Sequence, residues 1–172
     1  MKIIITGGSG LIGRGLTHHF TLHGYEVVVL SRNPEGVTGL PQGSRAIRWD
    51  RKTGEGWYTE AEGATAIVNL AGENLAGENF FPTRWTASRR KLILESRLDA
   101  GKAVVDAVRR TAKKPGVVVQ ASAVGFYGPQ RDEPITETAP PGTDFLAGVC
   151  VEWEGSTAAV EEMGVRHVAI RT

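Results

Sequence analysis

The chain has 172 residues, 41% of them apolar and 23% charged, the balance of an ordinary globular protein and not of a disordered one. A domain of this size buries roughly 70% of the surface its unfolded chain exposes, so one domain with a real core is expected, not two. The 20 Lys and Arg nearly cancel the 19 Asp and Glu, and a net charge of +1 offers no field to draw the chain to nucleic acid or an anionic membrane.

The start, "MKIIITGG", is too short in apolar residues for a signal peptide, and no later run approaches membrane length. The cytoplasm is the expected compartment, with neither membrane nor nucleic acid as partner. The single cysteine, Cys150, excludes an intrachain disulfide. With no Cys-x-x-Cys or His-Glu-x-x-His spacing, no metal is expected.

Along the chain, short apolar runs alternate with longer helical patterns, which predicts a doubly wound parallel α/β sheet of Rossmann type. Six strands are expected, at 2–6, 26–30, 45–49, 66–71, 116–122 and 165–171. Several are β-branched without strict alternation, as strands buried on both faces are. Ile12, Leu16 and Phe20 recur at helical spacing between the first two strands, and Gly24 ends that helix. A second helix is predicted over 85–112, with Leu94, Leu98, Gly101, Val105, Val108 and Ala112 on one face, and a third over 145–164, with Leu146, Val149, Cys150, Trp153, Val160 and Met163 or Gly164 inward. The stretches 33–44, 73–84 and 128–143 read as long loops, a length more often functional than idle. The basic cluster at 89–91 lies on the long helix among acids and reads as a solvated face. His18, His19 and His23 belong to the first helix and its end, without a catalytic role.

"TGGSGLIG" follows the first strand and opens the first helix. Gly7, Gly10 and Gly13 form G-x-x-G-x-x-G, a variant of the dinucleotide fingerprint, in which glycines permit the sharp turn, the approach of a pyrophosphate and close helix–strand packing. The unpaired N–H groups at the helix entrance, around Leu11 and Ile12, would meet the phosphates. At the end of the second strand an acid would favour an unmodified ribose, whereas this chain has Ser31 and Arg32. An arginine there suits a 2′-phosphate and predicts NADP(H); an exposed arginine opening a loop is the alternative. Asp50, after the third strand, either hydrogen-bonds the adenine amino group or is a plain loop aspartate. Asn69, Ala71 and Gly72 close the fourth strand, where an open α/β sheet places its ligand crevice. Glu73, Asn74 and Arg89 either face substrate or serve the loop and helix they sit on.

With these motifs in view the chain resembles the short-chain dehydrogenase/reductase superfamily, in its extended, epimerase-like branch. "TGGSGLIG", "NLAG" at 69–72 and "SAVGFYG" at 122–128 carry that likeness. "LAGENLAG", "RWTASRRKLILESR" and "DFLAGVCVEWE" narrow it to the atypical epimerase-family oxidoreductases, often labelled sugar-nucleotide epimerases and sometimes cell-division inhibitors. In the wider superfamily a Tyr-x-x-x-Lys pair does the chemistry, with a glutamate often four residues after the lysine. Counting back from Glu154 puts the lysine position on Cys150 and the tyrosine position on Leu146. A thiol without a basic residue within one helical turn stays neutral near pH 7, and leucine donates nothing, so the usual mechanism does not transfer. Cys150 remains either packing or a group bordering the nicotinamide pocket. The resemblance also implies a serine that polarises substrate; alignment on Tyr-Gly puts it at Ala123, leaving Ser122 one residue early, either as that serine or as a strand-end hydroxyl serving backbone. Tyr127 either supplies a phenol or packs, and Glu133 and Glu137 are expected to fix their loop.

Relatives continue beyond a segment like Arg171–Thr172, so the chain is expected to stop before a substrate lobe. Dimerisation through the two long helices is implied by the same likeness. Two functions fit: an NADP(H)-dependent, epimerase-like oxidoreductase acting on a sugar nucleotide or other carbonyl compound, with Ser122, Tyr127 or water handling the proton, or a catalytically silent NADP(H)-binding sensor or scaffold.

Overall fold

A computed structural model describes residues 1–75, 85–129, 132 and 134–172. Among them, β1 (Lys2–Thr6), β2 (Glu26–Ser31), β3 (Ser44–Arg48), β4 (Ala66–Asn69), β5 (Val117–Ser122) and β6 (Arg166–Arg171) form one sheet in the order 3-2-1-4-5-6. Every pairing is parallel. The order reverses beside β1, between β2 and β4, which is where an open sheet of this type leaves its crevice.

The β-branched runs suit a pleated surface with no wet face. Ile4 lies opposite Val28 and Ile67 in the ladder, and with Leu30 and Val118 they face a layer made by Trp49, Trp57, Ala100, Ala103, Val104, Ala107 and Val108. Ile3, Ile5, Val27, Val29 and Val68 face the other way, under Leu16 and Phe20. The covering helices are α1 (Leu11–Leu22) on one face and α3 (Ala87–Arg110) with α4 (Phe145–Ala158) on the other; α2 (Tyr58–Ala61) is a short turn packed near α3. A Cβ at Gly101 would collide with Ser156 Oγ, so this glycine lets α3 and α4 approach.

The helix ends follow local chemistry. The Thr86 hydroxyl accepts the Arg89 N–H at 3.2 Å at the start of α3, and the Asp144 carboxylate accepts those of Leu146 and Ala147 at 2.8 and 3.0 Å at the start of α4. Lys114 Nζ closes α3 by donating to the carbonyls of Val108, Arg109 and Thr111. Ala112 therefore falls outside the helix and is exposed. The helix expected over 145–164 stops at Ala158; a 3-10 turn, Glu161–Met163, follows and ends at Gly164, whose φ is +75°. Ile12 leaves the buried stripe expected of it and is 57% exposed, beside Leu11 in the first turn of α1. The Trp49–Trp57 edge-on pair and α2 carry no periodicity that a pattern could have revealed. No helix of the described residues is long and apolar enough to cross a membrane.

Candidate functional site

The turn after β1 is built by sterics. Gly7 has φ +67°, and a Cβ on it would fall 3.1 Å from the Leu70 carbonyl carbon. The Gly10 N–H donates to Gly7 O at 3.0 Å, tightening the turn. A Cβ on Gly13 would lie 2.5 Å from both Gly7 O and Gly8 Cα, so nothing larger fits where helix meets turn. Gly10 caps α1 without a side chain, and the first turn carries no acid. The first N–H groups of α1 thus lack intrahelical partners at the positive end of the helix dipole. Leu11 is 92% exposed; any contact that it or Ile12 makes with a phosphate comes from backbone.

Beside this turn opens a crevice of about 360 Å³. Its walls are the glycine turn, Leu30 to Asn33 at the end of β2, Trp49 and Arg51 after β3, and Leu70 to Gly72 after β4. Of the residues picked out by motif, Gly7, Gly10, Ser31, Arg32, Ala71 and Gly72 thus line one crevice. Ser31 Oγ accepts the Asn33 N–H at 3.2 Å, shaping the bend that carries Arg32. Arg48 donates to Arg32 O at 2.9 Å and pairs with Glu35 at 3.1 Å, so a neighbouring cation holds the bend while Arg32 itself takes no ion pair among the described residues.

Two further candidates sit differently. Asp50 lines not this crevice but an adjoining pocket with Arg32 and Trp49, and its carboxylate accepts the N–H groups of Lys52 and Thr53 at 2.7 and 2.8 Å and the Thr53 hydroxyl at 2.9 Å, closing its own turn. The next residue, Arg51, lines the crevice instead and holds φ +66°, a left-handed conformation rare for arginine. Burial, and then the charge of Arg32, pull the Arg51 guanidinium below its ordinary value. Two guanidinium groups, neither of them in an ion pair among the described residues although Glu73 and Asp99 act on Arg51 from farther away, thus share one end of the crevice.

The other is Asn69, which is fully buried inside the sheet. Its Oδ1 accepts the Thr6 hydroxyl at 2.6 Å and its Nδ2 donates to Gln120 Oε1 at 2.8 Å. Thr6 Oγ1 in turn accepts the N–H groups of Leu70 and Ala71 at 3.0 and 3.1 Å. The Asn69 side chain is closed off from the crevice; through Thr6 it sets the backbone of the crevice floor.

Ser122, Tyr127 and Cys150 gather at the end of β5. Ser122 Oγ donates to Glu154 Oε1 at 2.6 Å. Arg171 grips the same carboxylate with Nε at 2.8 Å and Nη2 at 2.9 Å, and its Nη1 donates to the Tyr127 hydroxyl at 2.9 Å. Its guanidinium carbon lies 3.4 Å from the Phe126 ring centroid. Burial pushes the Glu154 carboxyl up, but Arg171 and Ser122 together hold it below its usual range. Its hydrogen bonds to Glu154 raise Arg171 above its ordinary value. Burial pushes the Cys150 thiol up, partly offset by its hydrogen-bonding contacts with Ala123 and Ser122. Burial of this kind favours the neutral thiol, the less nucleophilic form. Sequence reasoning used Glu154 only as a landmark and passed over Arg171; a glutamate on the inward face of a helix opposite a strand-end arginine was the available signal.

Glu73 and Arg89 form an ion pair at 3.2 Å, and Arg89 also donates to Asn74 O. Glu137 offers its carbonyl to Arg171 at 3.2 Å, whereas Glu133 lies outside the described residues, as does the loop from 76 to 84. Arg90 sits over the Phe145 ring at 5.1 Å and Lys91 pairs with Glu95 at 3.7 Å, as a solvated helix face does. His18, His19 and His23 are exposed.

Comparison with known proteins adds to this geometry. Residues 3–147 match the model of the NAD dependent epimerase/dehydratase family. Epimerase family protein YfhF of Bacillus subtilis is 34% identical over 99% of this chain and 54% of its own length. The chloroplastic SDR39U1 homologue of Arabidopsis thaliana is 33% identical over 99% of the chain and 48% of its own. Among solved structures, human epimerase family protein SDR39U1 with NADPH superposes with a TM-score of 0.76 at 26% identity, over 99% of this chain and 53% of that one. A nucleoside-diphosphate sugar epimerase from Corynebacterium glutamicum gives 0.75 at 34% identity, over 99% and 33%. The chain spans about half the length of the curated relatives it matches.

Proposed function

Since the chain belongs to the NAD dependent epimerase/dehydratase family, we propose that it binds NADP(H) in the crevice beside β1, as an epimerase-like oxidoreductase of the cytoplasm. The observation that carries the cofactor choice is the pairing of Arg32 and Arg51 at one end of that crevice, neither of them in an ion pair among the described residues. A carboxylate at this place would accept from a ribose hydroxyl, whereas two guanidinium groups suit a phosphate, which they can grip by charge-assisted bonds. The solved relative that contains NADPH agrees with this reading. The glycine turn fits the rest of a dinucleotide: it is narrow where a Cβ would block it and donor-rich at the entrance of α1.

When bound, the nicotinamide supplies or takes up hydride. The proton partner must come from this chain or from water. Ser122 offers its oxygen but has its own proton directed at Glu154. Tyr127 receives a bond from Arg171 that fixes the place of its hydroxyl, and the phenol is the group of this cluster that could hand a proton to substrate. Glu154 and Arg171 act as the frame that fixes both. The substrate in this reading is a sugar nucleotide or another carbonyl compound. Two copies associate along the outer faces of α3 and α4, where Leu92 and Val151 are exposed.

One observation favours a second reading, a silent NADP(H)-binding sensor or scaffold: the positions of the superfamily's catalytic pair hold Leu146 and a neutral, buried Cys150. Turnover separates the two. NADPH consumption with a panel of sugar nucleotides and simple aldehydes, lost in Tyr127→Phe and reduced in Ser122→Ala, supports the enzyme. Retained NADPH binding without consumption of any substrate overturns it in favour of the silent protein.

A further inference from the structure

Gly72 is a glycine because of what packs behind it. A Cβ there would come 3.0 Å from Arg97 Cζ and 3.3 Å from Arg97 Nε. Arg97, on α3, keeps only 8% of its surface accessible. Its guanidinium carbon lies 4.8 Å from the centroid of the Trp153 ring, and it is near enough to Cys150 for each to bias the other's ionisation. Gly72 itself lines the crevice, so Arg97 stands immediately behind the wall at the end of β4.

A guanidinium has five N–H donors. Both protons of Arg97 Nη1 are used, on Ile93 O at 2.9 Å and Glu73 O at 3.1 Å. Nε and Nη2 have no partner among the described residues. Nor are they sealed in: the fully enclosed, unpaired side-chain nitrogens of the described residues are Arg89 Nε and Trp153 Nε1. The accessible remainder of Arg97 therefore includes its free donors. No described carboxylate pairs with it, since the carboxylate of Glu73 is taken by Arg89 at 3.2 Å. A nearly buried cation balanced by two carbonyls and one aromatic face is costly to keep, and burial pulls Arg97 below its ordinary value. An arriving anion would remove that cost.

We propose that Arg97 is an oxyanion-binding residue: its free N–H donors hold a phosphate or carboxylate oxygen of a ligand that lies against Gly72 at the β4 end of the crevice. The inference rests on the reading of that crevice as a dinucleotide site. The oxyanion belongs either to the pyrophosphate of the dinucleotide or to an acidic group of the substrate, and the two sources are separable.

Calorimetric titration distinguishes them. NADPH is added to the unaltered chain, to Arg97→Met and to Arg97→Lys; inorganic phosphate and malonate are then added to each NADPH-saturated protein. NADPH binding weakened about tenfold or more in Arg97→Met, with a smaller loss in Arg97→Lys, assigns the oxyanion to the dinucleotide. Unchanged NADPH affinity with phosphate or malonate binding lost assigns it to the substrate. Folded variants unchanged in both arms overturn the role of Arg97 and leave the dinucleotide reading intact, whereas an unaltered chain that binds no NADPH removes both. If circular dichroism shows Arg97→Met unfolded, the Nε–H resonance of Arg97 in the unaltered chain, assigned by its absence from Arg97→Lys, is the second readout. It must move on addition of NADPH, phosphate or malonate; a signal that stays in place under all three contradicts the proposal.

Discussion

Ser122 gives its hydroxyl proton to Glu154 across 2.6 Å, and Arg171 holds both oxygens of the same carboxylate. The contact joins β5, α4 and β6, so its loss is felt in the fold as well as at the site. Glu154→Gln leaves Arg171 without its counter-charge and is expected to cost about 2–4 kcal/mol, less than a wholly buried pair because both partners keep some exposure. Urea unfolding of the two proteins measures it.

The same carboxylate makes stability depend on acid. The Glu154 carboxyl is held below its usual range in the folded chain, where Arg171 and Ser122 outweigh burial. Its contribution is complete above the unfolded value, about 4.3, and drains away as pH falls through the lower folded one. Stability measured from pH 7 down to pH 3 should fall less steeply for Glu154→Gln than for the unaltered chain. Parallel curves would show that Glu154 carries no such linkage.

Cys150 is a test of packing against chemistry. A thiol raised by burial and 5% exposed should react with a disulfide reagent at neutral pH about a hundredfold more slowly than in the urea-unfolded chain. Cys150→Ala should keep NADPH affinity within about twofold. Rapid labelling of the native chain would restore the thiol as a chemical candidate.

What could be read from sequence divides along a physical line. The strands around Ile3–Ile5 and Val27–Val29 were legible because burial on both faces leaves a continuous β-branched run, and the glycine turn because Gly7 and Gly13 each meet a steric demand that glycine alone satisfies without strain. Asp50 was left between two roles because an aspartate two residues before a backbone N–H closes a turn as readily as it meets a ligand. Its neighbour Arg51 matched no motif, and its place in the crevice follows from a left-handed backbone that sequence does not encode visibly. Asn69 lay at the correct strand end, but its side chain points within the sheet, a choice made by Thr6 and Gln120 on adjacent strands. Arg97 was hidden for the same reason: residues far from it in sequence, Gly72 and Trp153, define its surroundings.

The polar chain through the sheet fixes a tautomer. Gln120 Nε2 donates to Ala121 O at 2.8 Å, so its Oε1 accepts, from Asn69 and from the Thr157 hydroxyl at 3.0 Å. Having spent its only proton, Thr157 must accept from His167 Nε2 at 2.9 Å. Nitrogen NMR should therefore find neutral His167 protonated on Nε2, and Gln120→Met, which strands two buried donors, should cost about 2 kcal/mol or more. A His167 protonated on Nδ1 alone would contradict this orientation of the chain.

Selection of a phosphorylated dinucleotide by Arg32 and Arg51 together is tested by titrating the chain with NADPH and with NADH, then repeating both with Arg32→Ala, Arg51→Ala and the double variant. Each arginine that grips the phosphate by a charge-assisted bond is worth about tenfold or more. NADPH should bind well ahead of NADH, each single variant should lose about tenfold toward NADPH alone, and the double variant should bind the two alike. Equal binding of NADPH and NADH by the unaltered chain, or a preference that survives the double variant, would contradict the account.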